Sequence, residues 1–270
     1  MTTENEVLVA EVRKPVIETI EKNPFLLMPA GYSAPVDLEK YLPQPLRKRG
    51  TITLDDTESF IAYVVDQAGP ATRTYCMTDY AASKVAFTAV LNDYQSERAQ
   101  WQDFRAVYEP DLSVEWARWT GKNGTRMPQM EFATWLEDNF KDIASVPGSP
   151  TGAQMLDMSK SLEINQDNRI KSAVRLQSGG VQLEYVSKDD EATIERMKVF
   201  ERFTLGVAPF FNGQAYQLEA RLKYKSAAGA VQFWYELIRP DLVVQDAARE
   251  MIARIGEQTK FPVLMGKVGK

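Results

Sequence analysis

Along residues 216–224 the even positions are apolar (Tyr216, Leu218, Ala220, Leu222, Tyr224) and the odd ones polar (Gln217, Glu219, Arg221, Lys223). A period of two is that of a β-strand with one face buried and the other solvated, so these five residues define the core side of a sheet. Val231, Phe233, Tyr235 and Leu237 repeat the pattern after Ala227, Ala228 and Gly229. Residues 203–238 therefore predict consecutive antiparallel strands. Trp234 and Ile238 make the second face of the last strand apolar as well, which predicts that something outside the strands covers it. Upstream, Val85, Phe87, Ala89 and Leu91 alternate in the same way. With 73–78 and 104–109 they predict a first antiparallel sheet, preceded by a short strand at 51–54. Residues 169–176 and 181–186 flank Ser178-Gly179-Gly180 and predict a hairpin.

Helical spacing marks the intervening stretches. Asp55 followed by Glu58 has the form of a capping box ahead of Phe60, Ile61, Val64 and Val65. Pro128 opens a run with Phe132, Trp135, Leu136, Phe140 and Ile143 on one stripe. Ser149 before Pro150 reads as the N-cap of a helix carrying Met155, Leu156 and Leu162. A final helix starts near Pro240, presents Val244, Ala247, Ala248, Met251 and Ile255, and stops at Gly256. Near the N-terminus, residues 7–12 predict a strand or short helix, and Pro15 with Val16, Ile17 and Ile20 a helix ended by Asn23-Pro24. The apolar run Phe25, Leu26, Leu27, Met28 leads into a proline-rich passage that closes on Arg47, Lys48, Arg49. The fold class expected is α+β: antiparallel sheets packed by helices, with a C-terminal antiparallel meander closed by a final helix. The expected divisions are an extended arm at 1–50, a first α+β subdomain at 51–147, a C-terminal sheet subdomain at 148–256 and a tail at 257–270.

The chain has 270 residues, 32 Lys and Arg against 37 Asp and Glu, and a net charge of −5, so no overall basic field draws it to nucleic acid. No apolar run reaches the length of about 18 residues that a membrane span needs, and the acidic Glu4 and Glu6 do not fit a secretion signal. A cytoplasmic protein is expected. The lone cysteine, Cys76, sits among β-formers and reads as a small core residue. Histidine is absent altogether. This removes the usual partner of serine and cysteine nucleophiles and the commonest zinc ligand, leaving carboxylate, hard-metal, lysine or tyrosine chemistry.

Candidate sites thin out on inspection. Gly121 to Thr125 has the residue types of a phosphate-binding loop without its spacing or flanking elements. The adjacent carboxylates Asp55–Asp56, Glu137–Asp138 and Asp189–Asp190 point apart on a strand or a helix, so no pair makes a metal site by itself. No catalytic residue, metal site or cofactor is expected. The suggestive constellation is aromatic and basic: Arg105, Trp116, Arg118, Trp119, Lys122 and Arg126, near Trp101, Phe104 and Tyr108, could stack bases and meet a single-stranded backbone. Asp103, Glu109, Asp111 and Glu115 oppose most of that charge.

Residues 125–143 (TRMPQMEFATWLEDNFKDI), 152–162 (GAQMLDMSKSL), 170–185 (IKSAVRLQSGGVQLEY) and 203–240 resemble the YfdQ-like family of tailed-phage and prophage proteins, with similarity over about Leu38 to Ile255. The resemblance transfers no catalytic motif. It implies a phage gene product acting in the cytoplasm of the bacterial host. Two functions are expected from these readings, with a carboxylate-dependent, magnesium- or manganese-activated nuclease as the residual enzymatic one. The first is a non-enzymatic homo-oligomer, a ring or shell, that associates through Trp234, Ile238 and the arm residues Phe25, Leu26 and Leu27. The alternative is a single-strand nucleic-acid binder serving phage recombination or replication through the aromatic and basic set.

Overall fold

The structure, a computed structural model, describes residues 16–20, 22–28, 35–161, 169–175, 180–186, 194–227 and 230–269. Three short strands come first: β1 (Val16–Ile20), β2 (Asn23–Leu27) and β3 (Val36–Asp37). Then follow β4 (Gly50–Leu54), helix α1 (Thr57–Gln67), β5 (Arg73–Asp79), β6 (Lys84–Val90), β7 (Phe104–Tyr108), α2 (Val114–Gly121), β8 (Met127–Pro128), α3 (Gln129–Asn139) and α4 (Gly152–Ser161). The C-terminal part comprises β9 (Arg169–Arg175), β10 (Gly180–Val186), β11 (Ile194–Phe200), β12 (Arg202–Val207), β13 (Tyr216–Ala227), β14 (Ala230–Leu237), α5 (Pro240–Thr259) and β15 (Val263–Met265). The class is α+β with mostly antiparallel sheets. The predicted element at 7–12, the turn residues 178–179 and 228–229, Leu162, and the Asp189–Asp190 pair lie outside the described residues.

The alternation at 216–224 is that of β13, where Leu218, Ala220 and Leu222 are buried and the terminal Tyr216 and Tyr224 half-buried. It pairs antiparallel with β12 (Leu205 opposite Leu218) and with β14 (Leu222 opposite Tyr235), and β8 extends the sheet beyond β14. Strands β9, β10 and β11 form a separate antiparallel sheet. The first sheet has five strands in the order β15-β5-β6-β7-β4, and it is not wholly antiparallel. Both outer strands, β4 on β7 and β15 on β5, run parallel to their neighbours. Its core face (Cys76, Val85, Phe87, Ala89, Ala106, Tyr108) packs under Phe60, Ile61 and Val64 of α1, and the same hydrophobic cluster continues into β12–β14 and α5. The rings of Phe60, Phe87 and Tyr108 lie 5.9–6.2 Å apart.

Several local expectations are corrected. Residues 16–20 form a strand, not a helix. Val16, Ile17 and Ile20 are β-branched side chains that favour a pleated surface, and Lys22 at φ 77° turns the chain directly into β2. The cap of α1 is Asp56, whose carboxylate accepts from Ser59 N at 2.8 Å, one residue after the expected Asp55. Helix α2 is absent from the elements read in the sequence. Ser113 caps it, accepting from Trp116 N at 3.0 Å. Helix α5 runs past Gly256 to Thr259, and residues 263–265 of the expected tail become an edge strand.

For α4 the cap is Thr151, not Ser149. Gln154 N donates to Thr151 Oγ1 (3.3 Å) and Gln154 Oε1 accepts from Thr151 N (2.9 Å), a reciprocal capping box. Thr151→Ala is expected to destabilise the protein by about 0.5–2 kcal/mol in urea titration. Ser149→Ala should change it by less than about 0.5 kcal/mol, since the Ser149 hydroxyl makes no hydrogen bond among the described residues.

Candidate functional site

The arm strands place Phe25, Leu26 and Leu27 in the middle of a three-stranded sheet. Pairing sets Ile17 opposite Leu26 and Leu26 opposite Val36, so these three residues form an apolar row across one face. The other face pairs Val16 with Leu27 and Glu18 with Phe25. Every residue of β1 is exposed, Ile17 at 66 % and Val36 of β3 at 42 %, while β2 is half-buried. Leu38 N donates to Pro24 O at 3.0 Å, tethering the sheet to the 3-10 turn at Glu39–Tyr41.

The other expected association residues sit differently. Trp234 lies on the outer face of β14 opposite Lys223, and the Arg126 guanidinium covers its ring at 4.9 Å. Glu236 on that face takes Lys223 Nζ at 2.9 Å, and this contact holds its carboxyl below the usual range. The second face of β14 is therefore amphipathic, with its indole covered by the chain's own arginine. Ile238 is half-buried beside Val146 and Leu242, and its N–H donates to Glu219 O at 2.8 Å.

The aromatic and basic set does not form one surface. Trp116 and Trp119 are buried and cannot stack a base, which corrects their expected role. Trp119 packs on Trp135, Phe203 and Tyr235 at 5.1–6.0 Å between centroids, and its Nε1 donates to Asp142 Oδ2 at 2.8 Å. Arg118 donates to Asn139 Oδ1 at 2.6 Å and Lys122 reaches Glu131 at 3.9 Å. Arg105 stands on the other sheet, donating to Gln102 O at 2.6 Å and Gly269 O at 3.2 Å. The exposed indole is Trp101, 77 % accessible, with the Arg47 guanidinium 5.5 Å from its ring centre.

Two polar arrangements lie outside the sequence reading. A cleft of about 440 Å³ opens between α1, α5 and the loop at 209–214. Its polar groups are largely paired with each other: Thr57 Oγ1 donates to Tyr108 Oη at 3.0 Å, Arg254 pairs with Glu58, and Tyr216 is hydrogen-bonded to Glu250. Burial, then the Glu250 contact, raises the Tyr216 phenol. The second is Asp93, buried, whose carboxylate accepts from Tyr75 Oη (2.6 Å), Gln102 Nε2 (2.6 Å) and Tyr94 N (2.7 Å). Burial alone would raise its pKa, but these three bonds and the charge of Arg73 bring it below the usual value. Tyr75 is pushed up to about 12, chiefly by its bond to Asp93.

Cys76 is fully buried, and burial pushes its thiol up to about 11, as for an inert core residue. Glu137 faces Lys160 at 3.6 Å and Asp56 caps α1, so one carboxylate in each of the two described pairs has a structural partner. Among the described residues no group of three or more His, Cys, Asp or Glu is placed to hold a metal ion, and no helix is long and apolar enough to cross a membrane.

These features define an α+β protein that exposes apolar side chains on an N-terminal sheet and whose aromatics mostly build the core. Residues 2–268 match the model of a family described as an uncharacterized conserved protein (DUF2303), and the chain belongs to that family. No curated protein and no solved structure matches it.

Proposed function

We propose that this protein is a non-enzymatic, phage-encoded component that assembles with copies of itself into a closed homo-oligomer, a ring or shell, in the host cytoplasm. The observation that carries this reading is the apolar row Ile17–Leu26–Val36, set across three short strands with exposed side chains at both ends. Strands this short, open on their faces, are marginal in water and gain stability by lying on another apolar surface. A neighbouring copy supplies such a surface in repeat. Phage origin and cytoplasmic setting rest on the resemblance to YfdQ-like proteins. The non-enzymatic part rests on the lack of histidine and on polar groups that pair with each other.

Light scattering of the full chain is expected to give a mass several times that of one copy. Ile17→Asp combined with Leu26→Asp should weaken assembly by more than about tenfold in dissociation constant, since each change removes an apolar side chain that the neighbouring copy would bury, worth up to about 1.5–3 kcal/mol. A wild-type protein that stays monomeric at all concentrations overturns the reading.

A further inference from the structure

Strand β4 ends its sheet: it is hydrogen-bonded to β7 on one side and, among the described residues, to no strand on the other. One bond assigns the direction of its backbone groups. Gly50 N donates to Asp103 O at 2.7 Å, so the even residues turn toward β7 and Thr51 and Thr53 turn their N–H and C=O groups outward. The side chains show the same open boundary. Ile52 lies opposite Ala106 on the core face, yet Ala106 is 0 % exposed and Ile52 41 %. The hydrophobic layer thus reaches the rim of the sheet uncovered.

Edge strands are usually guarded by lysine, proline, a bulge or an inward charge. Gly50-Thr51-Ile52-Thr53-Leu54 carries none of these. Its charges stand at the two ends and have opposite sign: Lys48 and Arg49 before it, Asp55 and Asp56 after it. Turned about a two-fold axis at Ile52, the segment complements itself. Thr51 meets Thr53, Gly50 meets Leu54, Arg49 meets Asp55 and Lys48 meets Asp56. In that register the outward groups of both threonines exchange hydrogen bonds in each half. Ile52 meets its own copy in a non-hydrogen-bonded pair, where side chains come closest. Sliding the copies by two residues removes threonine pairs and separates Arg49 from Asp55. The second pair is the weaker of the two, because Asp56 caps α1 and Lys48 donates to Gln67 at 2.7 Å. Arg49 is half-exposed with Glu39 at 3.2 Å, and Asp55 is exposed.

We propose that two copies of this chain pair antiparallel through β4 about a two-fold axis at Ile52, merging their sheets into one. The inference rests on the self-assembly reading and assigns it one of its interfaces. An isologous contact of this kind makes a dimer, and the arm then links dimers into the closed assembly.

Cysteine cross-linking in the full chain tests it, since Cys76 is buried and does not compete. Cα atoms of a non-hydrogen-bonded pair stand about 4.5 Å apart, within disulfide range. Ile52→Cys is expected to give a covalent dimer on mild oxidation. Asp55→Cys should not, because its own copy lies about 20 Å away, six residues along the strand. Independently, Arg49→Asp or Asp55→Arg should each raise the dimer dissociation constant about tenfold, each change acting twice across the axis, and the double reversal should restore it. A multimer by light scattering in which Ile52→Cys does not cross-link, or a double reversal as weak as the single changes, overturns the β4 pairing and leaves self-assembly standing. A monomer at every concentration overturns both.

Discussion

Replacing Trp119 with alanine is expected to lower the unfolding free energy by about 3–5 kcal/mol, a large part of the roughly 5–15 kcal/mol that a domain has. The indole is fully buried between α3, β12 and β14, edge-on to Trp135 and Tyr235 and tilted against Phe203. The Tyr235 hydroxyl donates to Trp119 O at 2.7 Å, so α2 and β14 are joined at this point through backbone as well as ring. Alanine removes the ring, leaves a void among aromatic neighbours that cannot collapse without shifting, and strips Asp142 of its donor. Trp119→Phe should lose about 1–2 kcal/mol, chiefly through that unmet hydrogen bond. Chemical denaturation followed by circular dichroism separates the two. If Trp119 were instead a platform for nucleic-acid bases, the alanine variant would keep its melting profile, and that outcome would contradict its burial.

The second large effect is predicted at Asp93, where Asp93→Ala should lower stability by about 3 kcal/mol because a tyrosine hydroxyl, an amide and a backbone N–H lose a charged acceptor together. The pH dependence has two signs. Asp93 has a folded pKa below its unfolded value of about 4, so its contribution is present above that pH and lost as pH falls through the folded pKa. Tyr75, at about 12 in the fold against an unfolded value of about 10, contributes fully below pH 10 and loses that contribution as pH rises toward 12. Thermal melts between pH 9 and 12 should therefore fall more steeply for the wild type than for Tyr75→Phe. Equal slopes would show that the phenol is not coupled to Asp93.

What could be read from residue order depended on how local the signal was. In β13 one face is buried over nine residues, and a period of two over that length admits one interpretation. In 16–20 three apolar residues fit a helical or an extended spacing equally well, and the pairing with β2 decides. Helix α2 had its markers in place, Ser113 as cap and Trp116, Trp119 and Thr120 one turn apart, but the interleaved arginines suggested an exposed surface. The parallel edges β4 and β15 were not legible, because each joins segments more than fifty residues distant and nothing in either strand names its neighbour. Of the candidate surface, the apolar arm was visible and its row across three strands was not. Trp234 suggested an open face because Arg126 is more than a hundred residues away in the chain. The Asp93 cluster draws on Tyr75, Gln102 and Arg73, a set that only the folded sheet brings together.

Strand β15 follows the other described elements in the chain, and Gly266 N closes on Cys76 O at 2.8 Å. During translation, then, the β5 border of the first sheet waits for residues 263–265 to leave the ribosome, while the rest of that layer has been available to fold for many seconds at ordinary elongation speeds. A nascent chain halted before residue 263 presents β5 as a raw rim, one that a trigger for misassembly or a holding chaperone would meet first.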